Sequence, residues 1–332
     1  MAALLHAQPA EMADEKEIHR FSVRASEVDA SVRAHPEIDF FLEKNGKPAD
    51  TQHASVNLRV QQRGELMIWL MPHNAELFDR VNGYGIHSIQ VHYANGWFAR
   101  LYGKPNTDPL FLSRIRLEAA TGEDFSKDVT IPYADGVKGR SVALVKWLNK
   151  KDPQGKWGQF LSQDGKDLLW EKVILAGASH GSTTAARFAK HQRVGRVVMF
   201  AGPRDQLENW QKLPSATPSE RYFGFTHVLD EGWQKDHYCR SWEMMGLQKF
   251  GAVVNVDGKK PPYENTRRLV TAANVQGNAN RAHSSVTPGR AAVKSASKSY
   301  VHEEVWKYLF THPVDKTGAA TEPDPSCEHQ QK

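Results

Sequence analysis

The chain reads as a doubly wound α/β protein, with a mostly parallel sheet flanked by helices. Continuous apolar runs of strand length recur at 65–71 (ELMIWLM), 172–177 (KVILAG), 194–200 (VGRVVMF) and 222–229 (YFGFTHVL), as in strands buried on both faces. Helical patterns lie between them, most clearly at 137–150 and 183–189. This alternation of buried strand and helix is the doubly wound signature, and such sheets carry their chemistry at the C-terminal ends of the strands.

At 332 residues the chain is long enough for one large α/β domain, and nothing in it marks a second. The net charge of +5 comes from 43 basic and 38 acidic residues scattered along the sequence. No clustered basic run of the kind that binds nucleic acid appears, so no nucleic-acid partner is expected. No apolar run is long enough to span a bilayer, so no membrane partner is expected either. The sequence has no C-x-x-C pair, H-E-x-x-H helix or Walker-type phosphate loop, which argues against the commoner zinc and nucleotide sites. His227 and Asp230 alone do not make a metal site, and no metal is expected. Spacing does not establish whether Cys239 and Cys327, the only cysteines, form a bridge.

In chain order, residues 1–18 read as a flexible N-terminus or the remnant of a secretion signal. The compartment therefore stays open between secreted or periplasmic and cytoplasmic. A single domain is expected over 19–312. The stretches 19–26 (HRFSVRAS) and 54–61 (ASVNLRVQ) alternate apolar and polar residues, as half-exposed edge strands do. Residues 65–71 form the first buried strand, which stops at Pro72-His73-Asn74, and 85–92 (GIHSIQVH) is the next. The forty residues 97–136 are too long for a simple connection and are rich in aromatics. They are predicted to fold over the mouth of the site, with Trp97 and Phe98 as substrate-binding walls; packing onto the body would use the same rings. Between 204 and 221 there is room for one short helix and a loop bearing Trp210, a third candidate wall, so no large cap is expected. A helix at 241–247, a last strong strand at 251–256 (GAVVNV) and a helix at 300–310 follow. In that helix Val301, Val305, Tyr308 and Leu309 form the apolar stripe, and His302 falls on its surface. Past Pro313 the sequence is rich in Pro, Thr, Glu and Gln, and 313–332 is predicted to be disordered.

The stretch most specific for function is Gly177-Ala178-Ser179-His180-Gly181, between a predicted strand and a predicted helix. This is the G-x-S-x-G pattern of a nucleophile elbow, in which a tight strand-to-helix turn lifts one serine hydroxyl above the sheet. Glycines are needed where strand and helix approach too closely for side chains. At these residues the chain resembles the α/β-hydrolase superfamily, and the resemblance spans roughly 65–310.

The resemblance implies a serine, acid, histidine order along the chain. Ser179 is then the nucleophile, and Asp230, at the end of the 222–229 strand, occupies the place of the acid, with Asp236 as runner-up. His283, the only histidine between the last strand and the C-terminal helix, is the candidate base. Backbone N–H groups of His180 and of His73 or Asn74 are the expected oxyanion donors. The implied activity is hydrolysis of a small-molecule or polymeric carboxylic ester through an acyl-enzyme, with no cofactor. An acyltransferase or a hydrolase of another bond would use the same residues, and a binding protein on this fold would need none of them.

Overall fold

The computed structural model describes residues 17–205, 210–324 and 327. The reading of 1–18 as a signal remnant or flexible start thus falls almost wholly outside the described residues, as does 328–332 of the expected tail. Nine strands form one sheet: β1 (Ile18–Arg24), β2 (Thr51–Asn57), β3 (Leu66–Trp69), β4 (His87–Gln90), β5 (Val173–Ala178), β6 (Arg196–Phe200), β7 (Tyr222–His227), β8 (Val253–Asn255) and β9 (Arg268–Thr271). Their order across the sheet is β1-β2-β4-β3-β5-β6-β7-β9-β8. β2 pairs antiparallel with both β1 and β4, and every other pairing is parallel. The chain winds outward in both directions from β3 and β5, which places their C-terminal ends at the switch point where such sheets bind ligands. β3, β5 and β6 are buried almost throughout, which is why they read in sequence as continuous apolar runs rather than alternating ones.

Helices flank the sheet. α1 (Ala75–Gly83) contacts α7 (Glu303–Thr311), whereas α2 (Phe111–Thr121) packs against both α3 (Val137–Lys151) and α4 (His180–His191). The insertion at 97–136 therefore supplies α2 to the helix layer beside α4, with only a five-residue helical turn, Trp97–Leu101, before it. Two shorter helices, α5 (His237–Met244) and α6 (Ala279–Ser285), follow β7 and β9.

Three expectations are corrected. β9 had no counterpart in the sequence reading because the run at 268–271 opens on arginine. Arg268 is nonetheless buried, donating to the Gly251 carbonyl and to Glu243, so its charge is satisfied inside the fold. His302 is buried rather than on the helix surface, and Val301 is 44% exposed, because α7 starts only at Glu303. The segment after Pro313 is tied down rather than disordered over its described part. Arg267 donates to the carbonyls of Val314 and Lys316 at 2.8 and 3.1 Å, and Thr321 N–H donates to Gln248 O at 2.9 Å. Cys327 closes this strap through a disulfide to Cys239 on α5, with the Cα atoms 5.1 Å apart.

A cross-link spanning 88 residues removes much chain entropy from the unfolded state. Cys239→Ser is therefore expected to lower unfolding free energy by about 2–4 kcal/mol in denaturant titrations, and reduction of the unmutated protein should do the same. Equal midpoints for the oxidised and reduced protein would contradict that role.

Burial also holds several histidines neutral. Burial pushes His302 down to about 4; burial followed by the nearby Arg140 does so for His92, and burial followed by Arg204 for His237. Their folded-state values lie below the ordinary 6.5, so between about 6.5 and 4 the unfolded chain binds more protons than the folded one. Stability should hold above pH 6.5 and fall progressively as the pH drops toward 4. Melting temperatures at pH 7.5, 6 and 5 check this, and a flat profile would be inconsistent with neutral burial.

Candidate active site

The strand-to-helix turn at Ser179 departs from ordinary backbone geometry. β5 ends at Ala178, α4 begins at His180, and Ser179 between them has φ 52° and ψ −119°. A positive φ at a residue with a side chain costs on the order of 1–3 kcal/mol, and such strain persists only where the surroundings impose it. Here they do. A Cβ on Gly177 would lie 2.3 Å from the Gly181 carbonyl carbon, and one on Gly181 would lie 2.4 Å from the Leu70 oxygen. Only glycine permits the close approach of β5, α4 and the end of β3. Ser179 N–H donates to Phe200 O at 2.9 Å, and the Ser179 carbonyl accepts from Ser182 Oγ at 2.7 Å, which fixes the turn from both sides.

Ser179 and His283 line one cavity of about 500 Å³. His283, on α6, is joined through Nδ1 to Asp230 Oδ2 at 2.7 Å. The other oxygen of Asp230 accepts Gly232 N–H at 2.9 Å and the Tyr238 hydroxyl at 3.1 Å. With a carboxylate on one side, Nδ1 of His283 carries the proton and Nε2 presents its lone pair. The runner-up Asp236 lies elsewhere, on a separate cavity with Val228, Trp233 and Cys239. His227, paired with Asp230 in the rejected metal reading, is buried and hydrogen-bonded to Ala273 O at 2.7 Å.

Pro72, His73 and Asn74 also line this cavity. Trp69 Nε1 donates to Pro72 O at 2.9 Å, and the His73 ring stacks on His53 with centroids 4.0 Å apart. The Asn74 side chain accepts Leu77 N–H at 3.0 Å as the N-cap of α1, while its Nδ2 donates to Pro288 O at 2.8 Å. One side chain thus ties the loop after β3 to the loop after His283. The backbone N–H groups of His73, Asn74 and His180 donate no hydrogen bond to any described residue, and so they remain available to an incoming oxygen.

Trp97, Phe98 and Trp210, expected as substrate walls, do not line this cavity. Trp210 is fully buried. The Trp97 and Phe98 rings pack instead against the His180 imidazole, with centroids 5.2 and 4.1 Å away. Aromatic content shows that a segment buries surface, not which surface it buries. The walls come instead from Met71–Glu76 and from 287–291 (TPGRA), whose Pro288-Gly289 turn was the only signal that sequence offered.

Behind the elbow lies an arrangement that sequence did not reveal. Arg116, on α2 and 1% exposed, donates Nε and Nη2 to the two oxygens of Asp205 at 2.5 and 2.8 Å, and Nη1 to His180 Nδ1 at 2.9 Å. Burial, and then the adjacent Arg116 charge, hold His180 well below the ordinary imidazole range, so it stays a neutral acceptor. Arg116→Met would leave Asp205 buried without its partner and His180 without its donor. The expected loss is about 3–5 kcal/mol of unfolding free energy by denaturant titration, and a loss below 1 kcal/mol would show the pair to be dispensable.

No protein-family model matches the chain, and no curated protein is significantly similar to it. Among solved structures, a cold-adapted esterase from an Arctic intertidal metagenomic library is similar over 73% of this chain and 86% of its own, at 9% identity and a TM-score of 0.36. A lipase/esterase from Lactobacillus plantarum is similar over 78% and 90%, at 10% identity and 0.35. A serine hydrolase without lid from Xanthomonas campestris is similar over 55% and 67%, at 13% and 0.27. These likenesses are distant, and the strand order and the elbow carry the fold on their own. The structure itself shows a doubly wound, mostly parallel α/β sheet with Ser179 on a strand-to-helix turn, the arrangement that the resemblance to α/β-hydrolases implies.

Proposed function

We propose that this protein is a serine hydrolase that cleaves a carboxylic ester through an acyl-enzyme. The observation that carries the reading is the 2.7 Å bond from His283 to Asp230 at a cavity shared with Ser179. In this reading His283 Nε2 takes the Ser179 proton as Oγ attacks the ester carbonyl. The oxygen of the tetrahedral intermediate gains negative charge, which the N–H groups of His180 and of the His73–Asn74 loop are disposed to accept. His283 then returns its proton to the leaving alkoxide, releasing the alcohol and leaving the acyl group on Ser179. Water repeats the sequence with His283 as base, and the acid departs. Asp230 keeps the imidazole in the required tautomer and stabilises its transient positive charge.

Support for the acid comes from its surroundings. Asp230 is 1% exposed, and it accepts from the Gly232 N–H and the Tyr238 hydroxyl while its other oxygen meets His283.

Labelling by a fluorophosphonate probe and turnover of p-nitrophenyl butyrate test the proposal. The unmutated protein should label and turn over, and Ser179→Ala should do neither. Asp230→Asn should fold but lose about 10³- to 10⁴-fold in kcat. A folded, unmutated protein that takes no label and turns over no ester would refute the reading.

A further inference from the structure

The ionisable groups on the cavity are His73, Glu76, His283 and Arg290. Two of them are already engaged. His283 is bonded to Asp230. Glu76 accepts the Tyr300 hydroxyl at 2.5 Å and faces Arg80 at 3.7 Å, so it already has partners of its own. His73 stacks on His53 and is held down to about 4 by burial and then by His53, which makes it neutral at pH 7.

Arg290 differs from the other three. Its side chain is exposed at the cavity and makes no hydrogen bond or ion pair with any described residue. Its backbone, by contrast, is pinned on both sides. Pro288 O accepts Asn74 Nδ2 at 2.8 Å, Ala292 N–H donates to Gly289 O at 3.0 Å, and Ala291 O accepts Arg281 Nε at 3.4 Å. The Asn74 bond runs directly from the candidate oxyanion loop, so the Arg290 Cα is held at a set distance from where the ester carbonyl would lie. Arg290 is therefore the one charged side chain on the cavity without a described partner, carried on a pinned backbone, and its planar fork suits a carboxylate.

We propose that Arg290 selects esters bearing a second, ionised carboxylate, which its guanidinium binds while the ester carbonyl lies at Ser179. This rests on the ester-hydrolase reading above and adds a substrate class to it. The carboxylate arm can belong to the acyl part or to the alcohol part, and two matched pairs separate these. Monoethyl adipate against ethyl hexanoate places it on the acyl side; 4-butyryloxybenzoate against phenyl butyrate places it on the alcohol side.

In at least one pair, kcat/KM should favour the anionic ester. Arg290→Ala should reduce the anionic-to-neutral ratio about tenfold, Arg290→Lys should restore part of it, and Arg290→Glu should invert it. The preference should also shrink in 0.5 M NaCl, as expected for a solvent-facing charge. Binding to Ser179→Ala, measured by calorimetry, gives a readout independent of turnover. There the favoured monoester should bind about tenfold more weakly once Arg290→Ala is added. A ratio unchanged by Arg290→Ala in both pairs, with neutral esters still turned over, would overturn this proposal and leave the hydrolase reading standing. Arg290-dependent binding without turnover of any ester would support the anion site and remove the hydrolase reading. Binding indifferent to Arg290 would overturn the anion site whatever the turnover.

Discussion

The structure depends on one steric constraint, the close approach of β5, α4 and the end of β3 around Ser179. Gly177 and Gly181 are the points where a single Cβ would collide with backbone, and backbone cannot rotate away as a side chain can. The positive φ of Ser179 follows from that crowding. A serine set on an ordinary helix or strand would be free to turn its hydroxyl toward a neighbour. Here the turn fixes the Cα–Cβ direction at the mouth of the cavity, and the hydrogen bond from Ser179 N–H to Phe200 O anchors it to the sheet. The strain is sustained by the burial of β3, β5 and β6, whose apolar residues belong to the continuous core.

Around that point the remaining groups are held by short polar ties rather than by packing. Asp230 caps the turn after β7 through Gly232 N–H and receives Tyr238, so two independent donors set its orientation before His283 is considered. Asn74 caps α1 with one side-chain atom and grips the Pro288 carbonyl with another. The loops that meet at the cavity come from the ends of β3, β5 and β9, and those after β3 and β9 are tied to each other through Asn74 and Pro288 in addition to the sheet. Loops supported in this way can stay open to solvent and still hold their groups in register.

The elbow was legible in the sequence because its glycines answer a steric requirement that few other residues can meet. Asp230 and His283, which the structure joins, could be singled out because an open parallel sheet leaves few places for its chemistry: the first charged residue after β7, and the one histidine between the 251–256 strand and the helix expected at 300–310. The walls were not. Trp97 and Phe98 announce a buried surface, but the surface they cover is the His180 ring. β9 and Arg116 were hidden for a shared reason. Arginine reads as solvent-facing, and at Arg116, Arg267 and Arg268 it is buried because carbonyl and carboxylate oxygens enclose every guanidinium. Such partners come from distant parts of the chain, 89 residues away for Arg116 and Asp205, and no local pattern encodes them.

His180 shows how the two sides of the elbow are coupled. Its backbone opens α4 directly after Ser179, while its ring is held by Arg116, Trp97 and Phe98. In an elbow only the glycines and the nucleophile are demanded by the turn itself, so the residue after the serine is free to vary on steric grounds. In this chain it is not free energetically. Nδ1 accepts from Arg116, whose remaining donors are spent on Asp205 and Thr184, so the imidazole completes a buried network in which each member limits the others. A charged guanidinium is thereby held close to the start of α4, where the helix already presents its positive end. That guanidinium is paired with both oxygens of Asp205, so the pair adds rigidity at the start of α4 more than net charge. The 97–136 insertion thus packs behind the elbow, and none of its described residues lines the cavity of Ser179.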